Sequence, residues 1–523
     1  MHPTRWGDPA RAAALPDTAR GLVELVFPVA DRTVADDAPV SLPAPTIDEA
    51  TIADLVGVVG AEHVLTDDAT RRLRTRGKST PDLLRARAGD LDDAPDAVVR
   101  PRDHDEVQAV LQVAGRHRVA VVPFGGGTSV VGGLAPRRDE YAGVISLDLV
   151  RMKRLFAVDP VSMTATLEPG LRGPEAEALL AGHGLTLGHH PQSFEFATIG
   201  GFAATRSSGQ SSAGYGRFDA LVVGLTVATP RGTVHLGRAP ASAAGPDLRQ
   251  VFLGSEGAFG VITSVTVRVR ARPETTHYEA WRWPSFDAGI EAMRTLAQAR
   301  LLPTVIRLSD ENESALNLAD PDSIGGPAGG SAPGCLMIVG FEGTPAVVAA
   351  QRTAVTAVLV ALDGQTVGEE PGERWAAGRF DAPYLRDSML DVGVLVETLE
   401  TAAYWSGLRR TYDEVSAALT EALGEPALVL CHVSHVYETG ASLYFTVAAP
   451  EGDDPLGRWH EAKSAAMDAI VASGATITHH HAVGTDHRPW LEDEVGPLGI
   501  AVLRAVKDAV DPDGILNPGV LVP

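Results

Sequence analysis

Cysteine is almost absent: this chain of 523 residues has two, Cys335 and Cys431. Two thiols support neither a disulfide framework nor a thiolate metal site, and a reducing cytoplasm is the expected home. Positive charge is also scarce, with 44 Lys and Arg against 67 Asp and Glu and a formal net charge of −23. That balance argues against nucleic acid as a partner, because phosphate backbones need clustered basic residues. Long apolar runs are missing too. The richest, "VAVVPF" and "LVVGLTVAT", are far too short to cross a bilayer. The opening "MHPTRWGDPARAAAL" has no apolar stretch flanked by basic residues, so no signal peptide is expected. A lipid substrate could still bring such a protein into peripheral contact with a membrane surface. No repeat of solenoid period occurs.

What is present is an ordinary globular composition, 45% apolar and 21% charged, in a chain long enough for two to four domains. The first 95 residues read as peripheral: a helix in "TIDEATIADLVGVVG", then a polar connector, "LRTRGKSTPDLLRARAGDLDDAPDA". Order begins at "RPRDHDEVQAVLQVAGRHRVAVVPFGGGTS". There Val107, Val110, Leu111 and Ala114 recur at helical spacing, with Gly115 as the stop. Strand-like and helical segments alternate as far as about residue 272. Longer helices follow in "AGIEAMRTLAQARLLP" and "TYDEVSAALTEAL", with a Gly/Pro/Ser-rich loop over 314–334 between them. The expected division is 1–94, an N-terminal helical and extended region; 95–272, a ligand-binding domain; 273–455, a cap over the substrate; and 456–523, a C-terminal segment completing the site.

The feature that most needs explaining is "PFGGGTSVVGG" at 123–133. Glycine permits positive φ and close approach of a ligand to main-chain N–H groups, and successive N–H groups form a nest for anions. A plain turn between strands is the competing reading. No Lys follows the glycines, which excludes a Walker A loop. Counting Gly-x-Gly-x-x-Gly from Gly125 puts Val130 at the last position, which excludes the usual dinucleotide fingerprint. Further clusters of glycine and hydroxyl residues stand at 189–209 and 252–270. Together the three suit one long phosphate-bearing ligand.

"PFGGGTSVVGG", "QSFEFATIGGFAATRSSG", "DALVVGLTVATPRG" and "GSEGAFGVIT", in that order, resemble the FAD-binding domain of the vanillyl-alcohol oxidase/p-cresol methylhydroxylase flavoproteins. Within it the chain is most similar to the alkyl-dihydroxyacetone-phosphate synthases, from about Arg72 to the C-terminus. The resemblance implies an α+β fold: a two-subdomain FAD-binding domain of the p-cresol methylhydroxylase type, an α+β cap and a C-terminal helical segment. It implies that Pro123, Phe124, Gly125, Gly126, Gly127, Thr128 and Ser129 hold the FAD pyrophosphate. Gln192, Ser193, Phe194, Glu195, Phe196, Ala197 and Thr198, with Thr205, Arg206, Ser207 and Ser208, would line the flavin and its phosphate-ribityl chain. Glu256, Gly257, Ala258, Phe259, Gly260, Val261 and Ile262 would close over the adenosine side and the isoalloxazine edge. The position of Gln192 is often Asp in the family. No His or Cys stands in the glycine loop, so the FAD is expected to be non-covalent.

In the synthases the residue matching Tyr444 is the acid/base. A phenol has a pKa near ~10, and cationic or imidazole neighbours can lower it; a core tyrosine on a strand is the alternative. His479, His480 and His481 would assist it, unless they are a surface turn. Arg386 is placed at the active site by the resemblance, with Arg307 supporting; ion pairs with Asp310 or Asp387 are the structural alternative. His432 stands where synthases tend to have Arg, among the substrate-binding candidates. In the sister branch, the D-2-hydroxy-acid dehydrogenases, a metal is held by a histidine pair and Glu-His-Gly. Here Tyr444 and His480 replace two of those ligands, and neighbours in sequence rarely point at one ion, so no metal is expected. The implied reaction exchanges the acyl chain of acyl-dihydroxyacetone phosphate for a long-chain alcohol through a flavin N5 adduct, in a homodimer. The alternative is an FAD-dependent dehydrogenase or oxidase of a 2-hydroxy acid or alcohol. The chain ends in "LVP" rather than a Ser-Lys-Leu peroxisomal address, which points to a bacterial cytoplasm.

Overall fold

The computed structural model describes residues 1–32, 42–135, 137–138, 140–316 and 333–522. Most of the predicted loop over 314–334 lies outside the described residues.

"VAVVPF" is almost wholly buried because both faces of its strand, Val119–Phe124, are covered, as expected for a parallel sheet. It pairs in parallel with Gly143–Asp148, which pairs in parallel with Ala97–Val99; Val64–Leu65 closes that four-stranded sheet. The helix His104–His117 covers it with Val107, Val110, Leu111, Val113 and Ala114. Asp103 caps its start by accepting from the Glu106 amide. The helix does not stop at Gly115. It runs on to His117 and ends where Arg118 turns left-handed at φ 51°, so a residue other than glycine serves as the terminator.

A second, antiparallel sheet runs in the order Leu155–Asp159, Thr164–Leu167, Val261–Arg268, Val222–Thr229, Gly232–Leu236. The two sheets form the first half of the molecule, and the glycine loop leaves the C-terminal end of Val119–Phe124 between them. The second half is built on a seven-stranded antiparallel sheet, ordered Gln365–Gly368, Thr275–Trp283, Cys335–Gly343, Val305–Ser309, Leu428–Val433, Gly440–Pro450, Val394–Tyr404. The helices Trp405–Leu423 and Pro455–Ser473 pack on each other beside it. Its register puts Tyr444 directly between His432 on one neighbouring strand and Glu400 on the other. Among the described residues, no helix is long and apolar enough to cross a membrane.

Two expectations for the leading region need correction. A helix at Asp68–Arg72 precedes the polar connector, and a second, Thr80–Arg87, lies within it. The second begins in a capping box in which the Ser79 hydroxyl and the Asp82 carboxylate satisfy each other's amides. Nor is the region peripheral. Trp6 is buried edge-on against Phe196 with ring centres 5.7 Å apart, and its amide donates to Asp387 at 2.5 Å. The buried Lys78 ammonium donates to the His2 carbonyl at 2.5 Å, and burial lowers its pKa to about 8. These contacts bind the start of the chain to the helix Ala382–Leu390, to the loop at Phe196 and to Lys78.

Candidate active site

A cavity of about 590 Å³ lies between the two halves of the molecule, within the size range of small-molecule and cofactor sites. The glycine loop forms one wall, with all of Pro123 to Ser129 facing the space. Among the described residues, the amide N–H groups of Gly125 to Ser129 have no acceptor within the protein. Gly126 cannot carry a side chain, because a Cβ there would run into the Phe196 carbonyl; Gly127 turns at φ +70°. The close approach of loop 192–198 and the free amides both depend on those glycines. A run of unsatisfied amides on a cavity wall is a site for the phosphates of a dinucleotide, so the residues present fit FAD.

Gln192, Ser193, Ala197, Thr198, Thr205, Ser207, Ser208, Glu256, Gly257, Gly260, Val261 and Ile262 also line the space. Six predicted cofactor residues do not. Phe194 stacks on Phe380, Glu195 pairs with Arg11 at 2.7 Å, and Phe196 turns toward Trp6. Arg206 is spent on Asp219 and the Leu253 and Gln250 carbonyls, while Ala258 and Phe259 are in the core. Within 192–198, 205–208 and 256–262 some neighbours point away from the cavity, so, unlike the glycine loop, these motifs do not line it without a break. Glu256 accepts from the Val483 and Gly484 amides at 3.0 and 2.8 Å, tying the C-terminal loop to this wall, and burial raises its pKa to about 7.

The opposite wall holds Tyr444, His432, His435, His480 and His481. The Tyr444 ring stacks on His432 at 4.8 Å and on His480 at 6.0 Å, and meets His481 edge-on at 5.6 Å. Burial raises the phenol to about 12 rather than lowering it, with Thr398 as a partly offsetting hydrogen-bond neighbour. The surrounding imidazoles do not act as cations, because burial lowers them as well, His481 to about 3. Burial thus favours the protonated phenol of Tyr444 and disfavours the charged form of the imidazoles around it.

The three histidines are not a surface turn. They wrap around Glu400, which the sequence reading missed. This buried carboxylate accepts from the amides of His479, His480 and His481 at 2.6, 3.1 and 2.9 Å and from the Thr478 hydroxyl at 2.6 Å. Burial would raise its pKa, but the imidazoles and these hydrogen bonds hold it well below the usual carboxylate range. Because the backbone curls around one carboxylate, the rings fan together: His479 Nδ1 and His480 Nδ1 are 3.0 Å apart, and with His435 the three offer nitrogens within 4.8 Å of one another. The expectation that sequence neighbours would point apart does not hold here. His479 Nε2 meets the Tyr437 hydroxyl at 2.6 Å, and His435 Nδ1 meets Ser212 and Ser208 at 2.7 and 3.0 Å. His479 itself does not reach the cavity wall.

Arg386 and Arg307 both line the cavity. Arg386 pairs with Asp387 at 3.3 Å and donates to the Lys78 carbonyl at 2.7 Å. Arg307 pairs not with Asp310 but with Glu313, at 2.7 Å, and touches the His432 ring nitrogens at 3.0 and 3.2 Å. Asp310 instead accepts from the Cys431 amide and the Tyr412 hydroxyl. The remaining wall is apolar and comes from unforeseen places. Leu15, Leu22 and Val23 contribute from the N-terminal segment, Leu385 and Met389 from the helix Ala382–Leu390, and Leu428 from its strand. No motif marks them, since an amphipathic helix lining a tunnel has the same pattern as one packing on a core.

A sheeted two-part domain whose free amides face a long cavity defines a flavoprotein. Residues 95–237 match the FAD binding domain, and residues 272–521 match the C-terminal domain of FAD linked oxidases. An alkyldihydroxyacetonephosphate synthase of Dictyostelium discoideum is 35% identical over 88% of this chain and 78% of its own. That of Trypanosoma brucei brucei is 34% identical over 92% and 82%. A solved alkyldihydroxyacetonephosphate synthase superposes with a TM-score of 0.82 at 29% identity, covering 99% of this chain and 98% of that one. The chain belongs to the alkyldihydroxyacetonephosphate synthase family of FAD-dependent enzymes.

Proposed function

We propose that this protein exchanges the acyl chain of acyl-dihydroxyacetone phosphate for a long-chain alcohol, forming an ether. The observation that carries the reading is the joining of free glycine-loop amides, an apolar wall and the Tyr444–His480 stack in one cavity. FAD, bound non-covalently along the Gly125–Ser129 loop, would supply an electrophilic centre for this exchange. His480, a neutral imidazole beside the charged Glu400, accepts the proton from C1 and returns it once the alcohol oxygen has replaced the acyl oxygen. Tyr444, held protonated by burial, gives its proton to the departing carboxyl group and regains one from the incoming alcohol, while Arg386 offsets the charge that develops as the ester bond breaks. Arg307 and His432 back this wall, with Glu313 fixing both. Leu25 and Val26 are exposed at the end of a helix that also contributes Leu22 and Val23 to the cavity, which supports peripheral contact with a lipid surface. A homodimer belongs to the same reading.

The test is product formation: purified, FAD-loaded protein with acyl-dihydroxyacetone phosphate and labelled hexadecanol should release fatty acid and labelled ether in equal amounts. Fatty acid without ether would make it a hydrolase, and neither product would end the proposal. Tyr444→Phe should lower turnover by about a hundredfold, as for loss of a proton-transfer group, while retaining flavin. Near-normal turnover would remove Tyr444 from the mechanism.

A further inference from the structure

Three arginines reach the cavity wall: Arg307, Arg379 and Arg386. Two have a carboxylate partner within the protein, Arg307 in Glu313 at 2.7 Å and Arg386, more loosely, in Asp387 at 3.3 Å. The other two carboxylates on the wall are also engaged, Glu256 with the Val483 and Gly484 amides and Glu397 with the Thr80 amide at 2.5 Å. Arg379 is different. Among the described residues it has no carboxylate partner, and its buried Nη1 carries no hydrogen bond. Leaving such a group without an acceptor costs more than an ordinary hydrogen bond contributes.

The guanidinium is nevertheless held in place. It lies over the Phe380 ring at 5.0 Å and beside Tyr278, whose hydroxyl donates to Glu342 at 3.1 Å. The Arg379 carbonyl accepts from Gln210 Nε2 at 3.0 Å, and the same nitrogen lies 3.5 Å from Gln192 Oε1. Both glutamines line the cavity, and each has a buried atom without a partner: Gln192 Nε2, a donor, and Gln210 Oε1, an acceptor. One fixed cation with a free N–H, one free amide donor and one free acceptor are thus tied together on a single wall. That set fits a phosphate monoester: two donors for its charged oxygens, and an acceptor for a protonated phosphate oxygen or a neighbouring hydroxyl.

We infer that Arg379, Gln192 and Gln210 form the binding site for the phosphate group of the substrate. The inference rests on the synthase reading above, in which the substrate is a phosphate monoester and the Gly125–Ser129 amides take the FAD pyrophosphate. It separates the two anionic ends of the bound acyl ester. The phosphate goes to Arg379, the only uncompensated arginine on the wall among the described residues, and the departing carboxylate goes to the Arg386 side.

The experiment uses the FAD-loaded enzyme and the variants Arg379→Gln, Arg379→Lys and Gln192→Glu. Wild type should be inhibited competitively by inorganic phosphate. Arg379→Gln should raise KM for the acylated phosphate at least about tenfold, as for loss of a charge-assisted contact, and lose phosphate inhibition with FAD affinity unchanged. Arg379→Lys should fall between, keeping the charge but not the fork. Gln192→Glu should also raise KM, because a carboxylate would face the phosphate. Unchanged KM and phosphate inhibition in both Arg379→Gln and Gln192→Glu would overturn the site. Lost FAD affinity with unchanged KM would overturn it in another way, giving the arginine to the phosphates of FAD. Should wild type make no ether, the flavin absorbance change on adding inorganic phosphate, present in wild type and absent in Arg379→Gln, still reads this site independently of the synthase reading.

Discussion

At the level of single residues, Gly126 separates a cofactor cradle from an ordinary turn most sharply. A methyl group there collides with the Phe196 carbonyl, so Gly126→Ala must push apart the two loops that shape the pyrophosphate site. The expected outcome is flavin content reduced at least about tenfold with secondary structure intact, since overpacking typically costs 1–3 kcal/mol; absorbance at 450 nm against protein concentration checks it. The glycines, Tyr444 and the histidine run stood out in the sequence because they are unusual in composition or placed by motif. Glu400 did not. In "LVETLETAAY" it is one polar residue on a strand among several, and only the register that sets it opposite Tyr444 reveals what it holds. Arg379 was hidden for a different reason, because its significance lies in having no carboxylate partner among the described residues, and a sequence cannot show an absent partner.

At the level of elements, the loop 478–484 depends on the strand Val394–Tyr404 for its shape. Glu400 accepts four hydrogen bonds from it, so Glu400→Gln removes one acceptor and the charge together. Turnover should fall by about a hundredfold, in line with loss of an oriented proton-transfer group, and the flavin should remain bound because the glycine loop is untouched. The pH profile separates this from general damage. Glu400 raises the pKa of His480 and His481 against the effect of burial, so its loss should shift the acid limb of kcat/KM to lower pH. An unshifted limb would reduce Glu400 to a structural role. Several elements were legible, among them the buried strand "VAVVPF" and the helices at 104 and 286, because their periodicities are strong. The helix Thr80–Arg87 was not, although its capping box is written in Ser79 and Asp82. Its charged face made the stretch look like a linker, while its packing partners lie some 300 residues away in Val396 and Glu397.

At the level of the whole molecule, the buried imidazoles set how stability responds to pH. Burial lowers His189, His190 and His481 to about 3 and His487 to about 4, and moves His432, His435, His479 and His480 the same way. The unfolded chain, with histidines near 6.5, binds more protons than the native state below that pH, so stability is lost as pH falls through 6.5. Glu256 and Asp310, raised to about 7, and Asp82, raised to about 6, act oppositely. Their native forms bind the extra protons between about 4 and 7, but they are fewer. The melting temperature should therefore fall from pH 7 to pH 5, with net proton uptake on unfolding; a level or rising value would contradict the burial of these rings. The architecture was legible as a family pattern from four glycine-rich motifs. The joining of the first residues to the helix Ala382–Leu390 was not, because it rests on single long-range contacts such as Trp6 to Asp387.

The central claim, that the flavin works without net reduction on a phosphorylated acyl ester, is tested most directly by an anaerobic absorbance titration of the FAD-loaded protein. Acyl-dihydroxyacetone phosphate should perturb the flavin spectrum, and a long-chain alcohol should restore the oxidised spectrum as ether appears. Lasting bleaching by D-lactate or D-2-hydroxyglutarate, with no response to the acylated phosphate, would contradict the account and make the protein a dehydrogenase.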